Sequence, residues 1–297
     1  MRWVTSGEGD VSPRVRHAAL AGVRILLGLM WLYNVSWKRA SDFGETAGNG
    51  LYKYTKYAVD YPVFPPYSWI VENLVLPNFT LFGYTVLITE TALAVLLLTG
   101  TAVRLAALLG IGQSLAIALS VAYAPAEWPW SYWLMIGAHV AILVSPAGRA
   151  LAVDAVRAGG AGRQLARVWG VLSVLVGLYS VLLSFGDPLA ARGPGLRSSD
   201  LSVSLGEYNL VGGLVLAAAG ALLLAASLTG TRLLASAASV LAVLGALSLH
   251  VQLGFSDPVL GGTPTSAALL LAVAVVATFA VPRSSADAES ARRKRHT

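Results

Sequence analysis

Apolar runs long enough to carry a helix across a bilayer, roughly 20 residues each, recur along this chain from residue 17 to residue 281. They cover His17–Lys38, Asn78–Gly100, Val103–Tyr123, Ser131–Ala147, Arg167–Phe185, Tyr208–Thr229, Arg232–Gly254 and Pro264–Val281. The runs predict an all-α integral membrane protein with eight transmembrane helices, arranged as two four-helix bundles. Charge content agrees, because Asp, Glu, Lys and Arg together make up 12% of the chain, about half the share in a soluble domain. Helix punctuation falls at Pro77-Asn78, Gly100, Pro146, Pro188, Gly230, Pro264 and Pro282. The first run does not fit a cleavable signal peptide: it is too long, follows a polar segment and precedes no small-residue cleavage site.

The net charge of +6 does not point to nucleic acid, because the basic residues sit at helix ends and in a terminal tail. Orientation follows from them. With the N-terminus inside, the inner flanks receive Arg2, Arg14, Arg16, Arg104, Arg149, Arg157, Arg163, Arg167, Arg232, Arg283 and the tail Arg292-Arg293-Lys294-Arg295. The outer flanks receive Lys38, Arg39, Lys53, Lys56, Arg192 and Arg197. The expectation is a multi-pass protein of the plasma (inner) membrane with both termini cytoplasmic. Residues 1–16 and 283–297 read as disordered cytoplasmic tails, the second touching anionic lipid.

Residues 17–157 form one four-helix module with a long outer loop, 41–77, and residues 158–282 a second. Leu98-Thr99-Gly100-Thr101 and Leu228-Thr229-Gly230-Thr231 separate corresponding helices, and Asn78 and Asn209 open them. Degenerate duplication and chance matching between Ala/Leu-rich helices explain these echoes equally well. A smaller echo, Phe185-Gly-Asp187-Pro188 and Phe255-Ser-Asp257-Pro258, marks two outer helix exits. Gly212, Gly213, Ala217 and Gly220 give the sixth helix a small-residue face, suited to docking the halves or to a dimer contact.

Chemistry is expected where polar groups enter the membrane, since an ionisable side chain at mid-bilayer costs at least about 2.5 kcal/mol. Arg24, Glu90, His139 and Gln113 all fall about seven to ten residues from the inner ends of their runs. At about 1.5 Å per residue, they fit one polar layer. Two readings stand: Arg24 and Glu90 as a structural ion pair, or the same pair with His139 as proton acceptor, relaying protons to a redox lipid. His250 and Gln252 lie near the outer end of the seventh run, at a depth different from His139, which argues against a bis-His haem. The chain contains no cysteine, which excludes thiol nucleophiles, thiolate zinc sites and Cys-held iron–sulfur clusters. No metal site is predicted.

The outer face concentrates aromatics: Tyr52, Tyr54, Tyr57, Tyr61, Tyr67 and Trp69 in the long loop, and Trp128, Trp130, Tyr132 and Trp133 where the third loop enters the fourth helix. An aromatic belt with an interfacial piece at Ser68–Leu76 accounts for them. The functional alternative is a lid over a lateral pocket, where Lys38, Arg39, Lys53 and Lys56 attract a small anion. Trp31, Tyr33, Asn34, Trp37 and Trp130 would then wall a quinone ring.

The stretch Val23-Arg24-Ile25-Leu26-Leu27-Gly28-Leu29-Met30-Trp31-Leu32-Tyr33, ending in Trp37-Lys38, resembles the opening helix of the DoxX/DoxD membrane family. So do Leu81-Phe82-Gly83 with Glu90, Leu98-Thr99-Gly100, Arg104-Leu105-Ala106-Ala107, Glu127-Trp128-Pro129-Trp130-Ser131-Tyr132 and Ala147-Gly148-Arg149 through Asp154. The resemblance spans residues 17 to about 157. It implies a module associated with thiosulfate:quinone oxidoreductase, which oxidises thiosulfate to tetrathionate and reduces membrane quinone. Arg24 and Glu90 match the family's charged positions, Lys38 its basic helix exit, and Arg149 with Asp154 its inner-end signature. Residues 184–297 do not resemble that enzyme's small partner subunit. Three classes of function remain: a quinone-binding redox subunit without a covalent cofactor, a scaffold in a membrane complex, and a small-solute transporter. Expected partners are lipid, quinone, and a redox or respiratory protein or a second copy.

Overall fold

The computed structural model describes residues 11–40, 43, 50–197, 202–252 and 259–280. The Phe255–Pro258 exit, the Gln252 side chain, most of 41–49 and the far ends of both tails lie outside these residues. Six helical stretches are long and apolar enough to cross a membrane: Pro13–Ser36, Pro65–Thr99, Val103–Val121, Gly162–Ser184, Leu210–Thr229 and Arg232–Val251. Pro129–Val144 and Pro264–Ala280 are shorter apolar helices. The chain is a mostly helical, multi-pass membrane protein.

Two compact units divide the chain after Asp154, three residues before the expected boundary. In the first unit, helix α1 (Pro13–Ser36) starts four residues earlier than the apolar run. Ser12 caps it by accepting the Val15 N–H at 3.4 Å, and Pro13 stands at the first helical position, where its missing N–H costs nothing. Residues 13–16 are therefore helical and not part of a tail.

Helix α2 (Gly50–Asp60) precedes α3 (Pro65–Ile70), which runs on without a break. A π turn over Val71–Val75 and a 3₁₀ turn over Leu76–Asn78 lead into α4 (Phe79–Thr99). The sequence places a helix start at Pro77-Asn78. Instead the wider π turn accommodates the proline, with the Leu76 N–H reaching back to Val71 O. The Asn78 side-chain amide donates to Leu74 O at 2.9 Å. The interfacial piece expected at Ser68–Leu76 is thus continuous with the next helix.

Helices α5 (Val103–Val121) and α6 (Pro129–Val144) complete the main packing of the first unit. Here α1 packs on α4 and α6, and α5 packs on α4 and α6. A short helix, α7 (Val153–Arg157), starts in this unit and ends in the second.

The second unit packs α8 (Gly162–Ser184), α9 (Leu210–Thr229), α10 (Arg232–Gln252) and α11 (Pro264–Ala280) in a closed ring of neighbours. The small-residue face of α9 is filled inside this unit. A Cβ on Gly177 of α8 would stand 2.6 Å from the backbone of Gly213 and Ala217. One on Gly220 would stand 2.7 Å from the Ser173 side chain. The all-helical expectation omits one feature, a two-stranded antiparallel ribbon of β1 (Gly195–Arg197) and β2 (Ser202–Ser204), which groups with the first unit and packs on α1.

The two Leu-Thr-Gly-Thr stretches share a local cause. Gly100 (φ 67°) and Gly230 (φ 74°) are left-handed C-caps whose N–H groups return to Leu96 O and Ala226 O. Thr99 and Thr229 each donate to the carbonyl four residues back. Helix-stop chemistry accounts for the echo without a duplication.

Candidate functional site

Arg24 and Trp31 of α1, and Lys38 just past its end, are buried two turns apart along one stripe, and each meets a different part of the first unit. The spacing of seven residues returns nearly to the same helix face. All three are at most 2% exposed. The structure therefore replaces the expected single polar layer with three levels, about 10 Å apart along the helix.

At the first level, Arg24 donates through one terminal nitrogen to Leu151 O at 2.8 Å. Its other terminal nitrogen and its Nε find no hydrogen-bond partner among the described residues. Gly100 makes room for the guanidinium, since a Cβ there would lie 1.8 Å from an Arg24 nitrogen. Asp154 holds the same corner. Its two carboxylate oxygens accept the Ala102 and Val103 N–H groups, both at 2.9 Å, and its own N–H donates to Gly100 O at 3.0 Å. A side chain distant in sequence thus supplies the N-terminal acceptor that α5 lacks locally.

At the second level, the Trp31 indole N–H donates to His139 Nε2 at 3.0 Å. His139 Nδ1 lies 2.7 Å from Met135 O, one turn earlier on α6. Indole nitrogen is a donor only and carbonyl oxygen an acceptor only, so the contacts select the neutral imidazole with its proton on Nδ1. The expected proton acceptor has both ring nitrogens engaged. Gly110 of α5 admits the ring, since a Cβ there would stand 2.2 Å from it.

At the third level, Lys38 Nζ meets Glu90 Oε2 at 2.6 Å, with 2% and 1% of the two side chains exposed. Glu90 Oε1 accepts from Gln113 Nε2 at 3.3 Å. Lys38 also donates to Asn34 O at 2.8 Å and lies 3.9 Å above the Trp37 ring. The expected Arg24–Glu90 pair is thereby corrected. Helices α1 and α4 run antiparallel, with Gly28 against Leu98 and Arg24 against Gly100. Ten residues separate Gly100 from Glu90, placing the carboxylate about 15 Å along the helix from Arg24.

Lys38 does not serve an outer anion either. Over this level closes an apolar cluster of Val35, Phe43, Leu51, Phe79, Val86 and Leu87, with Trp37 and Tyr52 against it. Phe43 anchors the closure: its ring occupies the space a Cβ on Gly83 would need, and Thr80 donates to its carbonyl at 2.9 Å. From Trp37, which packs against the cluster, Tyr54, Tyr57 and Tyr61 follow edge to face in succession, with centroids 5.5–5.9 Å apart.

Of the other expected binding residues, Tyr33 is half-buried and Arg39 exposed. Trp130 is 54% exposed and packs against Trp128. Lys56 is paired with Asp60 on the exposed side of α2. The four-cation attractor thus loses Lys38 and Lys56 to partners. Phe43, Gly110 and the Asn34 and Leu151 carbonyls contribute to these levels without a sequence signal, because backbone acceptors and clearance are set by tertiary packing. Asp154, by contrast, stands in a matched motif.

Compared with models of known protein families, with curated proteins and with solved structures, the chain finds no match.

Proposed function

We propose that the chain is a redox-associated membrane module, resembling the DoxX/DoxD family over its first unit, that exchanges protons with a membrane quinone through Lys38 and Glu90. In this reading all eight apolar helices span the plasma membrane, with both termini cytoplasmic. Removing buried Lys38 from the outer-side charges leaves a steeper inside excess of Lys and Arg, which supports that orientation.

The observation that carries the proposal is the third level itself. An ammonium and a carboxylate, both sealed from solvent, touch at 2.6 Å beside Gln113. A proton passing from Lys38 to Glu90 turns the ion pair into a neutral pair of the same net charge, so Glu90 can give that proton to the quinone and Lys38 be reprotonated from water. Intramembrane ionisable groups are uncommon and mark functional sites by default. Reducing a quinone takes two electrons and two protons. Oxidising two thiosulfates to one tetrathionate releases two electrons, and water at the membrane surface supplies the protons through the pair. Trp37 and Tyr54 offer aromatic faces for the ring.

The test uses purified protein in nanodiscs. Quinone extraction and mass spectrometry report binding, and thiosulfate-dependent reduction of a soluble quinone analogue reports turnover. Retained quinone, with turnover lost in the paired Lys38→Met/Glu90→Gln variant, is the expected result. Absence of both quinone and turnover from the unaltered protein removes the reading.

One observation favours a scaffold role instead. Lys38 Nζ is held by Glu90 and Asn34 O and lies over the Trp37 ring, and His139 has both nitrogens bonded. A stable heteromeric complex lacking quinone would be the signature of that reading.

A further inference from the structure

The Lys38–Glu90 pair has two ends with different surroundings. At the lysine end, Nζ lies over the Trp37 ring and against Asn34 O, under the apolar cluster. At the glutamate end, Oε1 accepts from Gln113, which is half-buried while both charged side chains are sealed. Resting on the quinone reading above, we infer that the quinone ring enters from the bilayer beside α5, and that its carbonyl oxygen accepts a hydrogen bond from Gln113 at the glutamate end.

Gln113 has the groups a quinone requires. Its amide nitrogen carries two N–H groups and its carbonyl oxygen two lone pairs. One N–H goes to Glu90, and the side chain makes no other hydrogen bond among the described residues. The second N–H suits the oxidised ring, whose oxygens only accept. The amide oxygen suits the reduced ring, whose hydroxyls donate. One side chain therefore serves both forms, and the reacting oxygen shares an amide group with the carboxylate of the pair.

The surface of α5 around Gln113 fits a flat ring with an apolar tail. Gly112 stands between Leu108 and Leu115 on the exposed stripe of the helix, and a Cβ on it would meet nothing within 4 Å. The row of leucines is thus notched at the depth of Gln113. Leu109, one turn inward on the Gln113 face, is exposed as well. Outward, Ala116 and Ser120 continue that face about 5 and 10 Å along the axis. Tyr67 meets both, its hydroxyl donating to Ala116 O at 3.1 Å and lying 2.9 Å from Ser120 Oγ. An aromatic side chain therefore closes the outer end of the notch, the amide stands in the middle, and leucines run inward from it. The ring lies between Tyr67 and Leu109, and its tail follows Leu108 and Leu105 into the bilayer.

The full-length protein in nanodiscs would be irradiated with an azido-quinone and its peptides mapped by mass spectrometry. Label on Tyr67 or within residues 105–116 is expected, and label confined to Trp37 and Tyr54 overturns the lateral site. Gly112→Leu, which fills the notch, and Gln113→Leu, which removes the amide, should each weaken quinone retention about tenfold, the order of one lost hydrogen bond. Gly112→Leu should raise KM for a quinone analogue and keep kcat, since it leaves the pair and Gln113 in place. Gly137→Leu, on the exposed side of α6 where a Cβ also meets nothing within 4 Å, should change neither. Equal retention in Gly112→Leu and the unaltered protein, or equal loss in Gly112→Leu and Gly137→Leu, overturns the site and leaves the quinone reading standing. Absence of both label and co-purified quinone from the unaltered protein removes the quinone reading itself, and this site with it. Gln113→Leu also releases Glu90, so where that variant fails to fold, Gly112→Leu alone decides.

Discussion

Lys38 stands 2.6 Å from Glu90 although it follows the last residue of its helix, a position at which a lysine usually reaches water. The cause is Phe43 and the apolar residues packed around it. Phe43, packed against Gly83 and held by Thr80, brings an apolar cover over the helix exit. With water excluded, the ammonium turns back to Asn34 O and across to α4. The pair therefore depends on the cover, and the cover in turn lies over a neutralised base.

That dependence sets the first prediction. Removing one member strands the other charge in a dry site, which costs about 3–5 kcal/mol, whereas replacing both with uncharged side chains is often close to neutral. Lys38→Met and Glu90→Gln alone should each lower the melting temperature in detergent strongly, and the paired variant should recover most of the loss. A double variant as unstable as the sum of the singles would show that the two side chains are not coupled.

The second level gives a prediction with a different readout. In Trp31→Phe, the His139 Nε2 acceptor loses its donor while the Met135 bond remains. A buried group left without its partner costs about 1–3 kcal/mol, so a moderate loss of thermal stability is expected. Nitrogen NMR of labelled histidine should show the His139 Nε2 signal move in Trp31→Phe, and no movement would contradict the assigned bond. Gly110→Ala, which pushes a methyl into the ring's space, should be at least as destabilising.

Much of this was legible in the residues. The apolar runs located the helices, and Arg24, Glu90, His139 and Gln113 are all buried or half-buried polar groups of one unit. Their pairing was not legible. Depth was counted from His17, but Ser12-Pro13 starts α1 a turn earlier and carries it past the end of α4, so Arg24 meets Gly100 and not Glu90. The heptad Arg24, Trp31, Lys38 was present in the sequence as a periodicity. Reading it required knowing that Lys38 is buried, and long-range closure by Phe43 leaves no local pattern. The small-residue face of α9 was equally visible, but its partner, α8, was not, since glycines at matching intervals fit any close helix.

The Arg24 corner supports a third prediction. Asp154 satisfies two N–H groups at the start of α5 from outside that helix. Losing a helix cap costs about 0.5–2 kcal/mol, so Asp154→Ala should reduce stability by that order. Asp154→Asn keeps one oxygen acceptor and should lose less. Hydrogen exchange resolves the site: the Ala102 and Val103 amides should exchange faster in Asp154→Ala, while amides in the middle of α5 should not. Uniform exchange across the helix in both proteins would remove the capping role.

The last prediction concerns the second unit alone. Gly177 and Gly220 let the α8 and α9 backbones approach so closely that a Cβ at either position falls inside contact distance of the opposite helix. For Gly177 the obstruction is backbone, at 2.6 Å, which cannot rotate away as a side-chain tip can. Gly177→Leu must therefore separate the helices along their whole contact, and overpacking of this kind costs about 1–3 kcal/mol or more. Gly186→Leu, beyond the end of α8 where a Cβ meets nothing within 4 Å, controls for added bulk. Cysteines introduced at Ser173 and Ala217, in a chain that has none of its own, would report the separation by spin-label distances. The expected outcome is a longer and broader distance in Gly177→Leu and an unchanged one in Gly186→Leu. Identical distributions in all three proteins would mean that the glycine contact does not set the spacing of these helices.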